Sequence, residues 1–331
     1  MTRTTGHFDI IAVALDQIHH GAGVSGNTAL LRMEESIHPE TLEHQRTPFI
    51  SGGSLKSMIR RAGVRFAIEA MGTEPQFSRP VIDLLMSGGA LSKGGSAVKL
   101  GPARRLEALF PILAVMGYSA GNRIETSRLR CDDLRLICEE NEWRLSDRAK
   151  ARRQRELPAG AYISDGFGTR KDPRTSVEAR LWLNHEDKAA VEDGAETQSK
   201  KKQASGEPES TQMIYDHEVL MPGSAFWGAW YFYDLGEMEL AALQSAISRA
   251  CVGTAPDGGY VFEVGAMSRR GKGRVSMHFE GSLRADIRPA QREAAPGLVR
   301  FGESGSRLDA YITHLRDNRD EILAALQEVV S

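Results

Sequence analysis

The sequence predicts an α+β fold, with strands and helices mixed along one chain, and three observations predict it. Residues 7–19 are β-branched, and Phe8, Ile10, Ala12 and Ala14 alternate with Asp9, Ile11 and Val13, which reads as a strand. Residues 213–233 are aromatic and β-branched and break at Pro222-Gly223, which reads as two strands around a turn. Leu55, Met58, Ile59, Ala62, Val64 and Phe66 place an apolar stripe along a helix, though Val64 fits it imperfectly.

The remaining elements follow the same rules. Residues 21–26 (Gly-Ala-Gly-Val-Ser-Gly) are too glycine-rich for regular structure and read as a loop. A short strand over residues 30–33 precedes a polar loop that runs to Pro48. Ser51 or Ser54 can cap the helix that follows, and Lys56, Arg60, Arg61 and Arg65 are expected on its solvent side. A glycine-rich region, 88–101, leads into a helix over 106–116, and 128–138 reads as a strand. Residues 144–155 carry six Lys or Arg. Residues 157–174 read as irregular. Residues 184–211 lack large apolar side chains and are expected to form a mobile insertion, because they bury too little surface to offset chain entropy. An amphipathic helix over 235–251, a basic glycine loop, a strand over 275–279 and one long helix over 306–330 complete the chain.

Composition bounds the function. The 331 residues are 41% hydrophobic and 26% charged, enough for a sizeable core. No apolar run approaches the ~20 residues that span a bilayer, and residues 1–8 show no signal-peptide core, so a cytoplasmic, membrane-free protein is expected. Cys131, Cys138 and Cys251 are too scattered for a disulfide framework or a metal site and read as reduced thiols. With 42 Lys plus Arg against 44 Asp plus Glu the chain is not bulk-basic. Phosphate recognition then requires a local cationic face.

Three segments could carry chemistry. Ser51-Gly-Gly-Ser-Leu-Lys sets glycines at a helix start, where bare N–H groups and the helix dipole favour an anion. It lacks P-loop spacing, and on local sequence alone an ordinary cap with a solvated basic face is the favoured reading. Arg269-Arg-Gly-Lys-Gly-Arg interleaves cations with glycines that let the main chain approach a sugar-phosphate backbone; alone it is equally a charged turn. His19-His20 could serve acid–base chemistry, but neighbours on a strand point to opposite faces, so a structural or RNA-contacting role is favoured. The cluster Trp227, Trp230 and Tyr231 reads as core.

Taken in order, these segments resemble the RAMP superfamily of CRISPR-associated proteins. Thr47-Pro-Phe-Ile-Ser-Gly-Gly-Ser-Leu-Lys-Ser-Met-Ile-Arg is similar to that family's pyIPGSSLKGxxR element. Here Ser51 and Gly52 stand where Pro and Gly are usual. Arg270-Gly-Lys-Gly-Arg-Val is similar to its C-terminal glycine loop. Glu218-Val-Leu-Met-Pro-Gly-Ser-Ala-Phe is similar to its paired strands. Within the superfamily the chain most resembles the subunit that polymerises along guide RNA, in its type IV version first and its type III version next.

The resemblance implies a ferredoxin-like, RRM-related palm with an antiparallel sheet, a thumb β-hairpin insertion and helical elaborations. Residues 1–150 and 213–331 would form the palm and 151–212 the thumb. It implies guide-RNA contacts from His20, Gly21 and Asn27, and from Ser51, Gly52, Gly53, Ser54, Lys56, Ser57, Arg60 and Arg61. It adds Phe167, Thr169, Arg170 and Lys171 of the thumb, and Arg269, Arg270, Gly271, Lys272, Gly273 and Arg274 of the glycine loop. Partners would be guide RNA, further copies of the chain, other effector subunits, and target DNA or RNA reached through guide pairing. No cofactor is implied. Type III subunits cleave with an aspartate where Asn27 stands here. An amide is neither a general base nor a carboxylate ligand, so no catalysis is expected. Two alternatives stay open: an endoribonuclease using His19 or His20, and a phosphometabolite enzyme using Gly52 and Gly53.

Overall fold

The computed structural model describes residues 3–25, 28–72, 76–89, 100–120, 123–171, 212–268, 271–281 and 305–330. The expected insertion at 184–211 lies outside them, as do residues 91–99. The N-terminal part runs β1 (Thr4–Ala14), β2 (Gly21–Ser25), β3 (Thr28–Leu31), β4 (Met33–Ile37), β5 (His44–Ile50) and α1 (Gly52–Ala70). Next come α2 (Arg79–Ser87), α3 (Leu100–Leu109), α4 (Pro111–Met116) and the short strands β6 (Tyr118–Ala120), β7 (Arg123–Glu125), β8 (Leu129–Cys131) and β9 (Leu134–Leu136). A short helix α5 (Asp147–Lys150) leads to the hairpin arm β10 (Ile163–Lys171) and β11 (Gln212–Leu220), then to β12 (Ala225–Leu235) and α6 (Glu237–Ala250). The C-terminal part is β13 (Gly253–Thr254), β14 (Tyr260–Glu263), β15 (Arg274–Gly281), α7 (Gly305–Asp317) and α8 (Arg319–Val330).

The main sheet has the order β13-β14-β15-β1-β12-β9-β5-β4, with β8 also pairing to β12. Its centre is antiparallel throughout: β1 pairs with β12 and β15, and β9 pairs with β12. Strands β1, β9, β12 and β15, with α1 and α6 between them, therefore form the split βαβ pattern of a ferredoxin-like palm. Burial explains the imperfect alternation of β1. Phe8, Ile10, Ala12 and Ala14 enter the main core beneath the helices. Ile11 enters a second cluster with Ile137, Leu145, Ala149 and Ala225, and Val13 packs against it. The strand is apolar on both faces because both faces are covered.

Several elements differ from the sequence expectation. Residues 21–25 are a strand, not a loop: β2 pairs antiparallel with β3. The region before Pro48 is the β4–β5 hairpin, and Pro48 is tolerated because β9 pairs with β5 only at Phe49 and Ile50. Residues 128–138 hold two short strands. Residues 163–171 are the first strand of the arm rather than irregular chain, in full antiparallel register with β11. Pro111 divides the helix expected at 106–116, and the last helix is two, α7 and α8. Trp230 is fully buried as expected, whereas Trp227 and Tyr231 are partly exposed on the opposite face of β12. The cysteines are free thiols. No described helix is long and apolar enough to cross a membrane.

α1 is held tightly. A Cβ on Gly63 would lie 2.6 Å from Ile112 Cδ1 and 2.8 Å from Ala246 Cβ, so glycine lets α4 and α6 close on it. Arg60 is turned inward, and its guanidinium donates to Met116 O at 2.8 Å and Gly117 O at 2.6 Å, capping α4. Burial lowers its pKa to about 10, which leaves it charged at neutral pH. Arg60→Ala should cost about 3 kcal/mol of unfolding free energy, from two charge-assisted bonds lost in the core. Urea titration measures this; a loss under 1 kcal/mol would contradict the capping role.

Candidate nucleic-acid interface

The two glycine turns singled out in the sequence meet at the link between β1 and β2. The Ala266 N–H donates to His19 O at 2.8 Å. One residue on, His20 Nε2 accepts the Ser51 N–H at 3.1 Å. His19-His20 therefore ties the start of α1 to the loop between β14 and β15. His20 is 5% exposed. Burial lowers its pKa to about 4, the positive charge of Arg32 adds to that, and Asp133 opposes it. The ring is neutral at pH 7, which leaves Nε2 free to accept.

Above pH 6.5, the ordinary histidine value, the ring is neutral in both folded and unfolded chains, and nothing is lost. Below it the unfolded chain takes a proton that the folded one refuses. Stability should fall by about 3 kcal/mol between pH 6.5 and pH 4. Urea midpoints across this window should slope in wild type and flatten in His20→Gln, which keeps an acceptor; equal slopes would refute the assignment.

Between the two turns lies a groove of about 1120 Å³. One wall is the outer side of α1, with Ser54, Ser57, Met58, Arg61 and Arg65. The other is the β2–β3 hairpin and the Gly265–Ser268 stretch, with Arg32 at the rim. Its lining carries four arginines (Arg32, Arg61, Arg65 and Arg249) against one carboxylate, Glu263. Arg249 is engaged by Glu69 at 2.9 Å. Arg32, Arg61 and Arg65 are exposed and form no ion pair among the described residues. The groove is thus a cationic channel, although the chain as a whole is slightly acidic.

The expected site residues divide. His20, Gly21, Ser51, Gly53, Ser54, Ser57 and Arg61 line the groove. Gly52 does not: it is buried, a Cβ there would overlap Cys131 O, and its N–H donates to Asp133 Oδ1 at 2.7 Å. Lys56 sits half-buried away from the groove, and burial lowers its pKa; Arg60 caps α4. The basic side of α1 is therefore split, with Lys56 and Arg60 against the body and Arg61 and Arg65 on the groove. In the glycine loop, Gly271 has φ +74° and is exposed, while Gly273, φ +88°, is packed against Val264 O. Lys272 is bound to His217 at 2.8 Å. Arg274 pairs with Asp16 at 2.6 Å. Phe167 projects from β10 and is 75% exposed. Thr169, Arg170 and Lys171 extend that strand, and their side chains lie outside the described residues, as do Asn27, Arg269 and Arg270 entirely. Sequence reasoning missed Arg32, Arg65 as a groove residue, and His217.

No family model matches the chain, and no curated protein matches it. Among solved structures, a chain of a type IV-B CRISPR complex superposes with a TM-score of 0.50 at 16% identity, over 88% of this chain and 94% of that one. Csc2 of Thermofilum pendens gives a TM-score of 0.36 at 12% identity, over 98% of this chain and 85% of that one. The chain is thus α+β with a largely antiparallel sheet, and it shares its fold with a chain of a type IV-B CRISPR complex.

Proposed function

We propose that this chain is a guide-RNA-binding backbone subunit of a CRISPR effector ribonucleoprotein. It would repeat along the RNA beside other effector subunits and have no catalysis of its own. The observation that carries the reading is the cationic groove between the start of α1 and the glycine loop. Arg32, Arg61 and Arg65 supply charge-assisted hydrogen bonds to phosphates, and Ser54, Ser57 and the bare Gly53 backbone supply neutral contacts. Contacts of this kind hold the backbone and leave base edges free to pair with target DNA or RNA. Phe167, exposed on the arm, offers an aromatic face to an unstacked base.

The endoribonuclease reading draws on one observation: His19 and His20 both line the groove, against the expectation that strand neighbours diverge. Against it, His20 Nε2 is committed to Ser51 and His19 Nδ1 lies 2.7 Å from Glu218 O. Purification from native cells, followed by sequencing of bound RNA and mass determination, tests both. The proposal expects intact guide RNA carrying several copies of the chain. A strictly one-to-one complex would contradict the backbone role, and RNA cut by the purified protein without metal would favour the enzyme.

A further inference from the structure

The β10–β11 arm and the glycine loop are far apart in sequence, yet they touch at one buried side chain. His217 of β11 is 2% exposed. Its Nε2 accepts from the Lys272 ammonium at 2.8 Å. Its ring stands edge-on to His19 with centroids 5.8 Å apart. Across the hairpin its register partner is Gly166, and a Cβ there would fall 2.5 Å from His217 Nε2. Glycine at 166 therefore clears the space in which the imidazole and the ammonium meet. The Glu218 carboxylate next to it accepts the Leu31 N–H at 2.8 Å, which fixes this part of the arm to β3.

Lys272 is not among the groove-lining residues. A lysine in a basic glycine loop would ordinarily be assigned to phosphate, but here its ammonium is held by the His217 ring. We infer that His217 is a positioning residue: by holding Lys272 it latches the glycine loop to the arm and fixes the Gly265–Ser268 wall of the groove. Pre-ordering that wall spares the RNA the entropy of ordering it on binding. Lys272 then acts on RNA through the loop, not by contact. The consequence for affinity rests on the RNA-binding reading, whereas the latch itself does not.

Two measurements separate these. In the free protein, His217→Leu should raise hydrogen exchange at Gly271 and Gly273 about tenfold, the worth of one lost hydrogen bond. His217→Gln, which keeps an acceptor near the Nε2 position, should restore most of the protection. Gly166→Ala leaves both partners in place but displaces the ring, and should behave like His217→Leu. In RNA binding, His217→Leu and Lys272→Met should each weaken affinity about tenfold, and the double variant no further. Unchanged exchange in His217→Leu and Gly166→Ala would overturn the latch whatever the RNA result. Additive losses, with Lys272→Met the larger, would overturn it in favour of direct phosphate contact. A latch seen by exchange in a protein without RNA affinity would leave the latch standing and refute the RNA reading.

Discussion

Arg61→Ala combined with Arg65→Ala is expected to weaken binding of single-stranded RNA about 100-fold at moderate salt. Each arginine is exposed on the groove and unpaired by any described carboxylate, so its charge is available to a phosphate. Loss of two charge-assisted contacts at ~1.5 kcal/mol each gives about 3 kcal/mol, or two decades of affinity. The slope of log affinity against log salt should also fall by ~1.4, since each phosphate contact on a single strand releases ~0.7 of a counterion. The loss should be uniform across RNA sequences, because backbone contacts carry no base information. Lys56→Ala, which removes a cation from the same helix but not from the groove, should change affinity by less than about twofold. Fluorescence anisotropy across a salt series gives both numbers. An equal effect from Lys56→Ala would mean that general charge, not groove position, controls binding.

The second large effect concerns stability. Gly52→Ala should cost at least ~3 kcal/mol, because its Cβ would overlap Cys131 O and come within 2.8 Å of the Asp132 carbonyl carbon. Both neighbours are backbone and cannot rotate aside. Relief would pull α1 from the β8–β9 turn and break the Gly52 N–H bond to Asp133. Gly53→Ala should stay within ~0.5 kcal/mol, since its nearest neighbour would be Ser51 Oγ at 3.4 Å. Adjacent glycines thus have opposite roles, the first for packing and the second for an open surface. Urea unfolding of both variants measures the contrast, and equal tolerance at 52 and 53 would contradict it.

How much of this was legible in the sequence depends on the element. β1, β11 and β12 were readable because alternation, aromatic content and Pro222-Gly223 all agree with burial. β2 was not, since Gly-Ala-Gly-Val-Ser has no strand preference of its own and is ordered by pairing with β3. The split of the α1 cations could have been anticipated. At about 100° per residue, Leu55, Ile59, Gly63, Ala67, Arg60 and Val64 sweep an arc of roughly half the helix. Lys56 falls inside that arc, whereas Ser57, Arg61 and Arg65 fall outside. Val64, the imperfect member of the expected stripe, was the sign that the buried arc is wide. Arg32 and His217 carried no such signal. Arg32 reaches the groove because β3 pairs beside β11, and His217 meets Lys272 because the segment after β1 bridges both neighbourhoods, Ile18 to Leu220 and His19 to Ala266; both are tertiary facts that no local pattern encodes.

On the proposed function, one polyanion is expected to lie between the two glycine turns. Photo-crosslinking of RNA carrying 4-thiouridine, with the attached peptides read by mass spectrometry, tests it most directly. Adducts are expected on residues 51–65 and on residues 265–273 from the same short RNA, suppressed together in Arg61→Ala/Arg65→Ala. Adducts confined to one of those segments, or concentrated on the β4–β5 hairpin, would contradict it.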